Sequence, residues 1–136
     1  MQPQALADLH ALCFSTPRPW RMHEFAALLK TPGIFLINHP HGFALGRIAG
    51  PEAELLTIAV QPEAQNKGHG ARLINDFLAE AALRGADEVF LEVSKANLAA
   101  IALYRRAGFV QVAERKGYFK QINGPALTAL IFKYTI

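Results

Sequence analysis

The chain has a single cysteine, Cys13, in 136 residues. An internal disulfide framework and a cysteine-built zinc site are both excluded, and a reducing, cytoplasmic compartment is expected. Charge is also scarce, at 18% Asp, Glu, Lys and Arg, with a net charge of only +3. That balance suits an anionic ligand but falls short of a nucleic-acid footprint, because basic residues are adjacent only at Arg105-Arg106 and Arg115-Lys116. No apolar run reaches transmembrane length, and the first residues lack the charged-then-apolar layout of a signal peptide, so no membrane partner is expected. There is no repeat, low-complexity tract or linker. No set of His, Asp and Glu has metal-ligand spacing, so no metal is expected; His10, His23, His39 and His41 read as surface or packing residues.

What is present is apolar sequence, 51% of a 14.9 kDa chain, enough for one domain over residues 1–136 to bury a core unaided. Leu6, Leu9, His10 and Cys13 share a helical face, and Phe25, Leu28 and Leu29 repeat that spacing. "STPRPW" breaks the two helices and "TPG" ends the second. The period then drops to two: "GIFLIN", "GFALGRIAG" and "AELLTIAV" read as strands. Gly70, Leu73, Ile74, Phe77, Leu78, Ala81 and Ala82 form a helical stripe stopped by Gly85. "DEVFLEV" reads as a strand covered on both faces, followed by a helix from about Asn97 to Arg106. Two last strands, Phe109 to about Arg115 and Ala126 to Tyr134, flank an "NGP" turn. The order predicts a mixed α/β domain.

The stretch "AQNKGHGARLI", Ala64 to Ile74, stands where a strand ends and a helix begins. Helix starts leave unpaired N–H groups at the positive end of the dipole, a natural seat for phosphate. Glycine at 68 and 70 leaves that backbone bare, and Lys67 adds charge at the rim. An isolated G-x-G is also how an ordinary turn enters a helix. A dinucleotide fingerprint is excluded because Leu73 replaces its third glycine, and a P-loop because the spacing is wrong.

What remains is Gln-x-x-Gly-x-Gly, at Gln65, Gly68 and Gly70, after the strand "TIAVQP". Here the chain resembles the GNAT family of N-acetyltransferases, whose loop of this pattern cradles the diphosphate of acetyl-coenzyme A. "ELLTIAVQPEAQNKGHGARLI" and "LEVSKANLAAIALYRRAGF" are similar to the RimI-type branch, which acts on protein N-termini. The similarity covers about Glu54 to Phe109. It implies one GNAT domain, a mostly antiparallel mixed sheet splayed between two parallel strands, with helices on both faces. The chain starts almost directly in helix, so the strand that opens many family members is expected to be missing.

The resemblance also implies roles. Glu92 sits mid-strand on the face opposite Leu91 and Val93. By itself it fits a salt-bridged surface carboxylate as well as a cleft residue; in the family the matching Glu is the general base, acting directly or through water. Tyr104 by itself fits core packing; in the family it is the general acid for the departing thiolate. Asn97 would bond the pantetheine arm, in competition with capping its helix. Ile58, Ala59 and Val60 would line the acetyl–pantetheine end. Gln65, Asn66, Lys67, Gly68, His69, Gly70 and Ala71 would hold the diphosphate, His69 through its backbone. Trp20, Tyr118 and Phe119 would flank the acceptor groove or pack in the core.

For the acceptor, an α-amine titrates near 8 and a lysine near 10.4, so roughly a tenth of α-amines but under a thousandth of lysines are neutral at pH 7. One carboxylate base therefore suits a protein N-terminus, and the RimI-type branch implies a ribosomal protein beginning with alanine. A small-molecule amine acceptor is the alternative, and a non-catalytic coenzyme A-binding domain a third reading.

Overall fold

The computed structural model describes residues 1–14, 18–121 and 124–136. Ser15 to Pro17 of the expected interhelical break and Asn123 of the expected last turn lie outside those residues. Helices α1 (Pro3–Cys13) and α2 (Met22–Leu29) come first among the described elements. Strands β1 (Ile34–His39), β2 (Gly42–Ala49) and β3 (Glu52–Val60) form an antiparallel meander. A short 3-10 turn, Pro62–Ala64, leads to α3 (His69–Leu83), then β4 (Glu88–Ser94), α4 (Leu98–Ala107), β5 (Val110–Phe119) and β6 (Leu127–Thr135). Among the described residues the six strands lie in the order β1-β2-β3-β4-β6-β5, with β3 and β4 parallel and the other neighbouring pairs antiparallel.

Each face of the sheet has its own core. Ile74, Phe77 and Leu78 of α3 pack with Phe35, Ala53, Leu55, Val89, Leu91 and Val93 on one face. The apolar stripe read from the sequence supplies the α3 side of that contact. On the other face Leu6 and Leu9 of α1 and Phe25 of α2 cover Phe43, Leu45 and Ala59. Phe77 is wholly buried, so Phe77→Ala would cost about 3–5 kcal/mol.

The sheet is irregular in the middle of β3. The β2–β3 register runs Leu45↔Thr57 but Gly46↔Leu55, so Leu56 is an extra residue in β3. Before this bulge Ala53 and Leu55 face α3; after it Ala59 faces α1, and Thr57 bonds a side chain of α1. The β3–β4 ladder pairs Glu52↔Glu88 through Leu55↔Leu91 and stops at the same point. Beyond it the two parallel strands diverge. β5 extends to Phe119, past the expected end near Arg115, with an irregular register between Arg115 and Phe119. All but its last residue are exposed, so it carries no alternation that could have marked its length.

Candidate active site

Where β3 and β4 diverge, a cleft of about 310 Å³ opens. Glu54, Thr57 and Ile58 from β3 line it, as do Glu92 and Ser94 from β4, and Asn97 and Tyr104 around α4. His10, Phe14, Trp20, Tyr118 and Phe119 complete the wall. The aromatic residues expected beside an acceptor groove, Trp20, Tyr118 and Phe119, are thus at the cleft.

Alternation puts Glu92 on the face opposite Leu91 and Val93, which are buried against α3 and α4. Its Oε1 lies 3.5 Å from Nη1 of Arg115 on β5. Glu92 therefore combines two sequence readings: it carries an ion pair and it faces the cleft. Glu54, on the same face, pairs with Arg47 at 2.6 Å. Glu54 and Glu92 also border a second cleft of about 290 Å³ that contains Arg47 and Arg115.

Tyr104 is 6% exposed and its ring lies 5.9 Å from Phe109. A Schellman ending holds that end of α4: the Phe109 N–H donates to the Tyr104 carbonyl and the Gly108 N–H to that of Arg105. Burial raises the phenol pKa, so the hydroxyl is protonated at neutral pH. Among the described residues no buried side-chain polar atom lacks a partner, yet the Tyr104 hydroxyl bonds no described residue. It therefore opens into the cleft. Asn97 caps α4, accepting from the Ala100 N–H at 3.2 Å. Its Oδ1 is engaged, leaving its amide N–H groups for a ligand.

The loop residues lie outside this cleft, past the end of β3. From Asn66 through Ala71 no backbone N–H donates to a described acceptor. Six consecutive donors stand at the positive end of α3. Two left-handed residues shape them, Asn66 at φ 62° and Gly68 at φ 86°. A Cβ on Gly68 would meet nothing within 4 Å, so the space above these amides is open. Gly70 differs: its Cβ would lie 3.2 Å from Cδ2 of Leu103, so this glycine brings α3 close to α4. Gln65 reaches back, its Nε2 donating to the Val60 carbonyl at 3.1 Å, and Cys13 Sγ donates to the same oxygen at 3.2 Å. Gln65 thus ties the loop to β3. Lys67 and Ala71 are exposed. The His69 ring stands 4.6 Å from that of His41; partial desolvation, then the neighbouring His41, Arg72, Lys67 and His39, lowers its pKa. Ala59 is buried under α1, leaving only its backbone for a ligand.

Residues 4–109 match the family model described as Acetyltransferase (GNAT) family. The chain belongs to the GNAT family. It is an acetyltransferase. It is 36% identical over 134 residues to the N-alpha-acetyltransferase RimI of Mycobacterium tuberculosis, spanning 92% of this chain and 83% of that protein. It is 38% identical over 82 residues to the ribosomal protein bS18-alanine N-acetyltransferase of Escherichia coli K12, spanning 60% of this chain and 55% of that protein. The crystal structure of the Escherichia coli ribosomal-protein-S18-alanine N-acetyltransferase superposes with a TM-score of 0.86 at 28% identity. That superposition covers 99% of this chain and 87% of the other. The fold likeness thus runs almost the full length of this acetyltransferase, while the aligned sequence reaches about half of the Escherichia coli enzyme. Among the described residues no helix is long and apolar enough to cross a membrane.

Sequence reasoning misses several cleft residues, among them Phe14, Ser94 and the bonded pair His10 and Thr57. His10 reads from the sequence as a surface or packing residue; it is 1% exposed and hydrogen-bonded to Thr57 across the sheet–helix interface. The signal is its place on the apolar face of α1 beside Leu6, Leu9 and Cys13.

Proposed function

We propose that this acetyltransferase moves the acetyl group of acetyl-coenzyme A to the N-terminal α-amine of a protein, by direct attack in a ternary complex. The observation that carries the reading is the joint opening of the Glu92 carboxylate and the Tyr104 hydroxyl into the cleft where the β3–β4 ladder ends. The donor fits the residues present. Its diphosphate oxygens need several N–H donors, and the amides of Asn66 to Ala71 have no other partner among the described residues. Its amide-bearing arm needs backbone partners, and β3 past Leu55 has no neighbour on the β4 side.

The amine nitrogen attacks the thioester carbonyl carbon while Glu92, directly or through a water, takes the proton the nitrogen sheds. A free N–H of β3, at Ile58 to Val60, stabilises the developing oxyanion. As the carbon–sulfur bond breaks, Tyr104 donates to the departing thiolate. Burial raises the phenol pKa, which by itself opposes the transfer, and the same dry surroundings raise that of the thiol in partial compensation. The products are an acetylated amine and free coenzyme A. The best fit among acceptors is a ribosomal protein beginning with alanine, which agrees with the cytoplasmic compartment expected from the single cysteine. The sequence match to enzymes named for that acceptor supports this choice.

The test uses two peptides, acetyl-coenzyme A and mass detection. One has a free N-terminal alanine and no lysine; its twin has a blocked N-terminus and one internal lysine. Transfer to the first alone is expected, with Glu92→Gln lowering kcat by roughly a hundredfold, within the usual range for a lost base. Transfer only to small amines would overturn the protein-acceptor reading.

A further inference from the structure

His10 is a buried imidazole with no part in the acetyl transfer proposed above. Its surroundings fix its protonation pattern. The Trp20 backbone N–H points at Nδ1 from 3.0 Å, and a backbone N–H can only donate. Nδ1 is therefore bare, and the proton sits on Nε2, which donates to Thr57 Oγ1 at 2.9 Å. Phe14 stacks on the ring at 4.2 Å and Trp20 at 5.3 Å, which hold its plane. The Thr57 oxygen is thus used as an acceptor, and its own O–H remains to be donated. Thr57 donates to no described residue, and it lines the cleft.

The position of that hydroxyl is informative. The bulge at Leu56 turns Thr57 to the α1 side of the sheet, the side that also bears Glu92. The last rung of the parallel ladder is Leu55↔Leu91. Thr57 and Glu92 both line the cleft that opens where that ladder stops, from the two strands that part there. An amine at Glu92 and a carbonyl at Thr57 would then share that one cleft. An α-amino acyl unit, N–Cα–C=O, brings an amine and its neighbouring carbonyl into the cleft together; a lysine ε-amine or an alkylamine brings no such carbonyl.

We infer that Thr57, oriented by His10, donates a hydrogen bond to the carbonyl of the acceptor's first residue and so selects α-amines. Thr57 is the specificity residue and His10 the positioning residue behind it. This rests on the protein N-terminus reading and adds to it how the site recognises that acceptor.

The test pairs an alanine-initiated peptide with a twin whose first amide is replaced by a trans-alkene, which keeps the shape and removes the carbonyl. For the wild type, kcat/KM for the amide should exceed that for the alkene by about tenfold, the worth of one hydrogen bond in a dry site. Thr57→Val should lose about tenfold on the amide, mainly in KM, and nothing on the alkene, while Thr57→Ser should restore the preference. His10→Leu should erode the preference, and His10→Gln, which still offers a donor to Thr57, should keep more of it. Coenzyme A titration identifies the variants that remain folded. Equal losses on both peptides, or a serine variant no better than valine, would overturn the inference while leaving the acceptor class intact. No wild-type transfer to the alanine peptide would overturn both.

Discussion

The glycine at position 68 separates two effects that glycine substitutions usually mix. Its φ of 86° is left-handed, and a Cβ there would touch nothing within 4 Å. Gly68→Ala thus meets no clash in the free protein but loses roughly 1–2 kcal/mol to the backbone conformation. In a domain of this size that lowers Tm by about 3–8 °C. Asparagine enters the left-handed region far more readily. Gly68→Asn should therefore melt close to the wild type while placing a side chain in the open space above the Asn66–Ala71 amides. If a diphosphate occupies that space, displacing it from a single amide forfeits a charge-assisted hydrogen bond of about 1.5–3 kcal/mol. That corresponds to a Kd for acetyl-coenzyme A raised at least tenfold. Calorimetric titration with coenzyme A beside a thermal melt reads both quantities. A Gly68→Asn protein that melts normally and binds with unchanged Kd would refute the cradle, since no loss of fold could be blamed.

Gly70 should respond differently. Gly70→Ala presses a methyl toward Leu103, so Tm should fall and Leu103→Ala should relieve the fall, with Kd moving less than for Gly68→Asn. Tyr104→Phe removes a hydroxyl that bonds no described residue, so melting should barely change; single-turnover acetyl transfer should slow by roughly ten- to a hundredfold with coenzyme A affinity kept. His10 has its pKa lowered from 6.5 to about 4, chiefly by burial, with Glu24 opposing weakly. The unfolded chain therefore takes up a proton at this site first as pH falls, and stability should drop between pH 6.5 and 4, by at most about 3 kcal/mol. Urea titrations across that window should show a shallower drop for His10→Gln, and parallel curves would disprove the assignment.

Which features were legible in the sequence depends on how local each cause is. The α3 stripe is periodic, so its element and buried face could be read directly; β4 was legible as a strand, but its second face, expected to be covered, leaves Phe90 half-buried and Glu92 exposed. Asn97 announced its cap and Gly108-Phe109 their helix ending, because capping is decided within a few residues. Glu92 and Tyr104 were legible as site candidates through the GNAT resemblance, and the fold brings them to one cleft. The reason for Gly70 was not legible: its neighbour Leu103 belongs to another helix, and only the packing of α3 on α4 joins them. Thr57 was hidden by the bulge. Strict alternation from Ala53 and Leu55 would place Thr57 on the α3 face, and one unpaired residue reverses that. The far end of β5 was lost because exposed side chains impose no period.

The same extra residue explains why the chemistry sits where it does. A regular β3 would keep pairing with β4, and every backbone group along it would be committed to the sheet. Leu56 twists the strand out of register, the ladder stops at Leu55↔Leu91, and the next residues keep their backbone groups free on the β4 side. The reversal also hands the second half of β3 to α1, so the strand that would hold the acyl donor by its edge shows a face to the acceptor side. Donor and acceptor can then approach one stretch of backbone from perpendicular directions, along the free edge and across the sheet face. Glu92 and Thr57 lie on that face, and Tyr104 closes the cleft from α4. Removing the bulge by deleting Leu56 would separate the two: Thr57 would follow Leu55 directly and keep its α1 face by alternation, while pairing restored along the edge would take away the free backbone groups.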